Sequence, residues 1–124
     1  MENDAVQVAL IGYGYWGPNL ARNLHQLPVC RLAACCDLDE GQLARVRALY
    51  PGVRTTTDFE ALLNDESIQA MVIATPARTH FPLARKALEA DKHVLVEKPI
   101  AMSSQEAQAL IEAADERRRV LMVG

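Results

Sequence analysis

Five short apolar runs punctuate the chain: AVQVALI at 5–11, CRLAACC at 30–36, AMVIAT at 70–75, HVLVEK at 93–98 and VLMVG at 120–124. They are nearly continuous rather than alternating, as strands covered on both faces should be. GVRTTT at 52–57 is more polar and is a candidate sixth strand. Between the runs the apolar spacing changes to three and four. Trp16, Leu20, Leu24 and Leu27 would share one helix face, Leu43, Val46 and Leu49 a second, and Ala107, Leu110, Ile111 and Ala114 a third. Three polar pairs with capping-box spacing mark helix starts: Asp39 with Gln42, Thr57 with Glu60, and Ser103 with Glu106. Strand and helix therefore alternate, leaving no room for hairpins. Each step between strands needs a crossover, which predicts a parallel sheet with helices on both faces. Alternation alone leaves the strand order open, a five-stranded flavodoxin-type order included.

The stretch LIGYGYWGPN, Leu10 to Asn19, sets the chain's least regular residues directly after its first strand. Gly12, Gly14 and Gly17 form GxGxxG between a strand and a helix, the setting in which that pattern binds a dinucleotide. Gly12 would permit the sharp turn, Gly14 the approach of a pyrophosphate to the backbone, and Gly17 close packing of helix on sheet. Free N–H groups and the positive helix end then face the anion. Pro18 fits in a first turn, where its missing donor has no partner to lose. Tyr13, Tyr15 and Trp16 either line the cofactor or pack, and the spacing of Trp16 with Leu20 and Leu24 keeps core packing open for it.

Asp37 follows Gly17 by 20 residues, at the end of the second strand. A carboxylate there accepts from the adenosine ribose hydroxyls and repels a 2′-phosphate, which favours NAD over NADP. Two other roles are open to it. It could turn the chain before the next helix, although Asp39 already supplies a cap, or it could serve S-adenosylmethionine, whose usual loop is spaced GxGxG. The expected fold is thus a three-layer αβα Rossmann fold with a doubly wound, mainly parallel six-stranded sheet.

Ligands of open parallel sheets sit beyond the carboxyl ends of the strands. Two such ends are unusually polar here, TPARTHFP at 75–82 and EKPIAMSS at 97–104. Lys98 emerges at that edge beside Glu97, and Pro99 stops the ladder and stiffens the turn. A lysine so placed is a candidate for proton transfer. His80 could donate to a phosphate or a ring amide, or help cap the following helix. His25 and His93 read as structural. No HExxH, paired catalytic carboxylates or Ser/His/Asp order occurs.

Composition narrows the remaining classes. In 124 residues, half are hydrophobic and the formal net charge is −3, enough for one packed domain and adverse to nucleic-acid or anionic-membrane partners. The single basic cluster, Arg117 to Arg119, closes an amphipathic segment, where cations complement the helix end. Cys30, Cys35 and Cys36 crowd one apolar run as reduced core residues, without the spaced partners of a metal site. The short acidic start MENDAVQ and the absence of a long apolar run give a soluble, cytoplasmic protein as the expectation.

The combination of ALIGYGYWGPNLARNL, Asp37, VIATPARTHFPLARKALEADKHVLVEKPIAMS and the final VLMVG resembles the Gfo/Idh/MocA oxidoreductases over essentially the whole chain. EKP after HVLV, with the TPxxxH spacing from Thr75 to His80, is more specific than the glycine loop. The resemblance implies NAD(P)-dependent oxidation or reduction of sugars, inositols, sugar nucleotides or related alcohols. It implies that Lys98 orients substrate or cofactor and assists proton transfer. Thr75, Pro76 and His80 would border the cofactor, and Glu97 would lie beside the nicotinamide ribose. The loop GYGYWGPN is similar to that of members from sugar-nucleotide pathways. Members carry a second, α+β domain with substrate contacts, often an oligomer interface and a further catalytic histidine. The 124 residues correspond to the cofactor domain, so negligible turnover is expected from them alone, and uncovered apolar surface would favour a homo-oligomer. A dinucleotide sensor without chemistry is the alternative from another class; Lys98 speaks against it.

Overall fold

The computed structural model describes residues 5–124. Its elements are β1 (Val6–Ile11), α1 (Gly17–Gln26), β2 (Cys30–Cys36), α2 (Glu40–Leu49), β3 (Arg54–Thr56), α3 (Phe59–Leu63), β4 (Ala70–Ile73), a 3-10 turn (Ala77–Thr79), α4 (His80–Glu89), β5 (His93–Val96), α5 (Ser104–Arg117) and β6 (Leu121–Val123). The sheet runs β3-β2-β1-β4-β5-β6 with every pair parallel. This is the dinucleotide-binding order, with its switch point between β1 and β4, and the flavodoxin-type order is excluded.

Alternation along the strands builds two cores from one sheet. Val8, Leu10, Leu32, Cys35 and Val72 face one way, where Ala21 of α1 and Leu43 and Val46 of α2 cover them. Ala9, Ile11, Met71, Ile73, Val94 and Val96 face the other, under Ala84, Ala87 and Leu88 of α4 and Leu110 and Ala114 of α5. Both faces are dry, which is why these strands read as continuous apolar runs.

Some local expectations shift. The fourth and fifth strands are shorter at their carboxyl ends than 70–75 and 93–98, because residues 74–75 and 97–98 turn toward the cleft described below. Trp16 is the N-cap residue of α1 and is 53% exposed, so it is not part of the helix's packed face, while Leu20 and Leu24 do pack against the core. Leu27, Leu49 and Ile111 are exposed as well: the true stripes are narrower than helical spacing alone suggests. Helix α3 is capped by Asp58, whose carboxylate accepts from the Ala61 N–H, rather than by Thr57. Asp39 and Ser103 cap as expected, accepting from the Gly41 and Glu106 N–H groups. The reciprocal arm of the Ser103 box lands one residue early, Glu106 accepting from the Met102 N–H. Arg117 ends α5, and Arg118 adopts a left-handed conformation (φ 54°) as its C-cap.

The histidines assigned structural roles have structural partners. The His25 ring lies 4.7 Å from that of Tyr50, and His93 Nδ1 accepts from the Val120 N–H at 2.9 Å. All three cysteines are free thiols. Burial, reinforced by the Asp37 charge, pushes the Cys35 thiol up to about 12 and the Cys36 thiol up to about 11. Burial also raises Cys30, whose Sγ donates to the Leu24 carbonyl. Thiolate is the reactive form. Labelling with a maleimide at pH 7.5 should therefore modify Cys35 and Cys36 only on unfolding; rapid labelling of either in the native protein would contradict this packing.

Candidate functional site

The glycine turn joins β1 to α1 at the switch point. Gly12 has φ +101°, and a Cβ there would lie 2.7 Å from the Ala74 carbonyl oxygen at the end of β4. A Cβ on Gly17 would lie 2.9 Å from the Gly12 carbonyl oxygen. Both glycines are thus demanded by packing. Gly14 differs: nothing lies within 4 Å of where its Cβ would be, and the residue lines the large cleft. Packing within the fold does not demand a glycine there. The N–H groups of Gly14, Tyr15 and Trp16 have no acceptor among the described residues and stand at the positive end of α1. Of the three aromatics, Tyr13 is buried in the core. Tyr15 and Trp16 stand outside it as an edge-to-face pair, 5.3 Å between ring centroids.

Asp37 does more than end β2. Its Oδ2 accepts from the Tyr13 N–H at 2.7 Å, and its Oδ1 from the Asp39 N–H at 2.8 Å. The carboxylate therefore both turns the chain toward α2 and ties the glycine turn to the tip of the neighbouring strand. Each oxygen keeps accepting capacity, so hydroxyl donors can still be met from the cleft side. The bond to Tyr13 has no counterpart in sequence spacing, since it exists only once β1 and β2 lie side by side.

The cleft beyond these strand ends has a volume of about 450 Å³ and runs from Asp37 past Gly14 to Thr75, Pro76 and the start of α4. It adds lining residues that sequence reasoning missed: Leu38, Phe59, Arg78, Thr79 and Leu83. Leu38, 88% exposed beside a carboxylate, is the one for which a signal existed, an apolar residue where no element has begun. Thr79 Oγ1 lies 2.6 Å from both Thr75 Oγ1 and the Pro76 carbonyl oxygen, stiffening the floor.

A smaller cavity of about 150 Å³ shares Ala74 and Thr75 with the cleft and brings together Trp16, His80, Glu97 and Lys98. The Glu97 N–H donates to the Ile73 carbonyl and the Lys98 N–H to the Gly124 carbonyl, so this turn is anchored to both neighbouring strands. Lys98 is exposed, and no ion pair among the described residues involves it. His80 differs from its expected role. It is 1% exposed, with Nδ1 2.7 Å from the Pro99 carbonyl oxygen and Nε2 2.8 Å from the Thr75 carbonyl oxygen. Both ring nitrogens are taken by the chain itself, leaving none for a phosphate, a ring amide or a helix cap. Packing from two loops, invisible in one dimension, decides this. Among the described residues no group of three or more His, Cys, Asp or Glu could hold a metal ion, and no helix is long and apolar enough to cross a membrane.

A groove of this shape suits a dinucleotide: backbone donors and a bare glycine at its middle, a carboxylate at one end, a free lysine at the other. Comparison with known proteins agrees. The chain is 40% identical over 122 residues to YdgJ, an uncharacterised oxidoreductase of Escherichia coli K12, covering 98% of this chain and 34% of that protein. It is 36% identical to inositol 2-dehydrogenase of Rubrobacter xylanophilus, covering 99% of this chain and 36% of that one. The crystal structure of GenD2 from gentamicin A biosynthesis, in complex with NAD, matches with a TM-score of 0.93 and 35% identity over all of this chain and 35% of its own. The chain thus spans about a third of the length of these relatives. With a family model described as an oxidoreductase family, NAD-binding Rossmann fold, matching residues 6–124, the chain belongs to the Gfo/Idh/MocA oxidoreductases and forms their NAD-binding domain.

Proposed function

We propose that this domain binds NAD in preference to NADP and serves hydride transfer between the nicotinamide and a hydroxyl or keto carbon of a sugar, inositol or sugar nucleotide. The single observation carrying the proposal is the open Gly14 face in a groove bounded by Asp37 and Lys98. NAD, when bound, supplies the hydride acceptor. The N–H groups of Gly14, Tyr15 and Trp16 hold the diphosphate, and Asp37 accepts from the adenosine ribose hydroxyls. A 2′-phosphate would meet that carboxylate. The cleft's one lining cation is Arg78, on the β4 side rather than beside Asp37 in the chain. Trp16, Thr75 and Glu97 line the nicotinamide end, and Lys98 Nζ orients the substrate oxygen and holds or gives up its proton.

Two relatives bear on the finer points. A Bacillus subtilis protein named scyllo-inositol 2-dehydrogenase (NADP(+)) is 27% identical, so preference between the cofactors is a property to be tested here, not inherited. The inositol dehydrogenase of Rubrobacter supports a polyol substrate. Thermal unfolding of the domain with NAD, NADP or S-adenosylmethionine is the test. A ligand at 100 times its dissociation constant stabilises by about 2.7 kcal/mol. The expected result is a clear upward shift with NAD, a smaller one with NADP at equal concentration and none with S-adenosylmethionine. Equal shifts for the two dinucleotides would defeat the role given to Asp37.

A further inference from the structure

We propose that His80 is a positioning residue for Lys98, and that it acts as an imidazolium whose two ring N–H groups clamp the Lys98 turn to the loop after β4. The role of Lys98 rests on the function proposed above; the clamp itself does not.

The ring faces two acceptors and must meet each with a donor. A backbone carbonyl can only accept, and His80 faces two of them, Pro99 at 2.7 Å from Nδ1 and Thr75 at 2.8 Å from Nε2. A neutral imidazole carries one N–H. In either neutral tautomer, one ring lone pair would point at a carbonyl lone pair at hydrogen-bonding distance. The doubly protonated ring satisfies both carbonyls with charge-assisted bonds. His80 is 1% exposed, so water is not there to relieve a mismatch. The ionisable groups sharing its cavity are Glu97 and Lys98, of opposite charge. Burial, Lys98 and the start of α4 oppose the cation, whereas Glu97 and the two carbonyls favour it.

The clamp's placement gives it a purpose. Thr75 opens the loop that lines both cavities, and Pro99 directly follows Lys98. The Lys98 backbone is already held on the far side through the Gly124 carbonyl. His80 supplies the tie on the near side, so the lysine stem springs from a segment anchored at both flanks.

The experiment uses the ligand-free domain labelled with nitrogen-15, so a failure to bind NAD would not affect its outcome. At pH 7, the His80 ring should show two protonated nitrogens, with proton signals slowed in exchange by burial. One unprotonated ring nitrogen would overturn the imidazolium. In His80→Gln, which cannot donate to both carbonyls in the same geometry, the backbone amides of Lys98 and Ile100 should shift or broaden while those of Tyr13 and Asp39 stay in place. Unchanged Lys98 and Ile100 amides would overturn the positioning role. Should that variant fail to fold, His80→Asn, shorter but able to keep one bond, provides the same comparison. The ring signals of the unaltered protein decide the protonation state in every case.

Discussion

Gly12→Ala should cost the domain roughly 2–5 kcal/mol, from a backbone conformation that L side chains rarely adopt together with an overpacked contact. Its φ of +101° is one part of that cost, and the Cβ placed 2.7 Å from the Ala74 carbonyl oxygen is the other. The strand ends are held by the Gly12 N–H to Cys36 and the Ala74 N–H to Ile11, so neither can retreat without loosening the sheet. A fall in Tm of roughly 10 °C or more should be seen by circular dichroism. Gly14→Ala is the control that makes the comparison informative. Its Cβ would enter open space, so Tm should stay within about 2 °C, since surface changes are usually within 0.5 kcal/mol. Dinucleotide affinity measured by calorimetry should nevertheless drop about tenfold or more, the equivalent of roughly 1.4 kcal/mol. Equal stability losses in the two variants would refute the division of labour within this turn.

Asp37→Ala should carry the largest effect on binding. It removes the carboxylate placed to meet the ribose and also releases the N–H groups of Tyr13 and Asp39. Hydrogen bonds to a charged group contribute about 1.5–3 kcal/mol each, and fewer where water can substitute, as at exposed Asp39. A stability loss of roughly 2–3 kcal/mol and a fall in NAD affinity of more than about tenfold are expected together. Asp37→Asn separates the two consequences. Its amide oxygen can still accept from Tyr13, but its NH2 would then face the Asp39 N–H, so only part of the stability should return, while the gap between NAD and NADP should narrow because the negative charge is gone. An Asn variant that still rejects NADP as strongly would place the discrimination elsewhere, with Leu38 and Arg78 the next lining residues to change.

The candidate site was legible as a set of strand-end positions and less so at its contacts. Gly12, Gly14, Gly17, Asp37, Thr75, Pro76, Glu97 and Lys98 all line or shape one edge, as strand-end logic requires. Spacing could not assign different jobs to the glycines, because Gly12 and Gly17 answer to atoms across a turn and a sheet, and Gly14 to empty space. Trp16 misled for a related reason: its spacing fits a helix face, yet it sits one residue before α1 begins, where its ring is 53% exposed. His80 misled in the opposite sense. A histidine in a loop near a ligand groove reads as a contact, and here two carbonyls from loops 19 and 5 residues distant claim its nitrogens first.

Periodicity, caps and the glycine pattern were enough to establish an alternating α/β chain and the edge that carries the chemistry, because these depend on contacts between near neighbours in the chain. Strand order, the tie between Asp37 and Tyr13, the burial of His80 and the joining of two cavities through Thr75 came from the folded arrangement. Each is a meeting of segments far apart in the chain, and such meetings are set by how two dry faces of one sheet are covered, which no local pattern encodes.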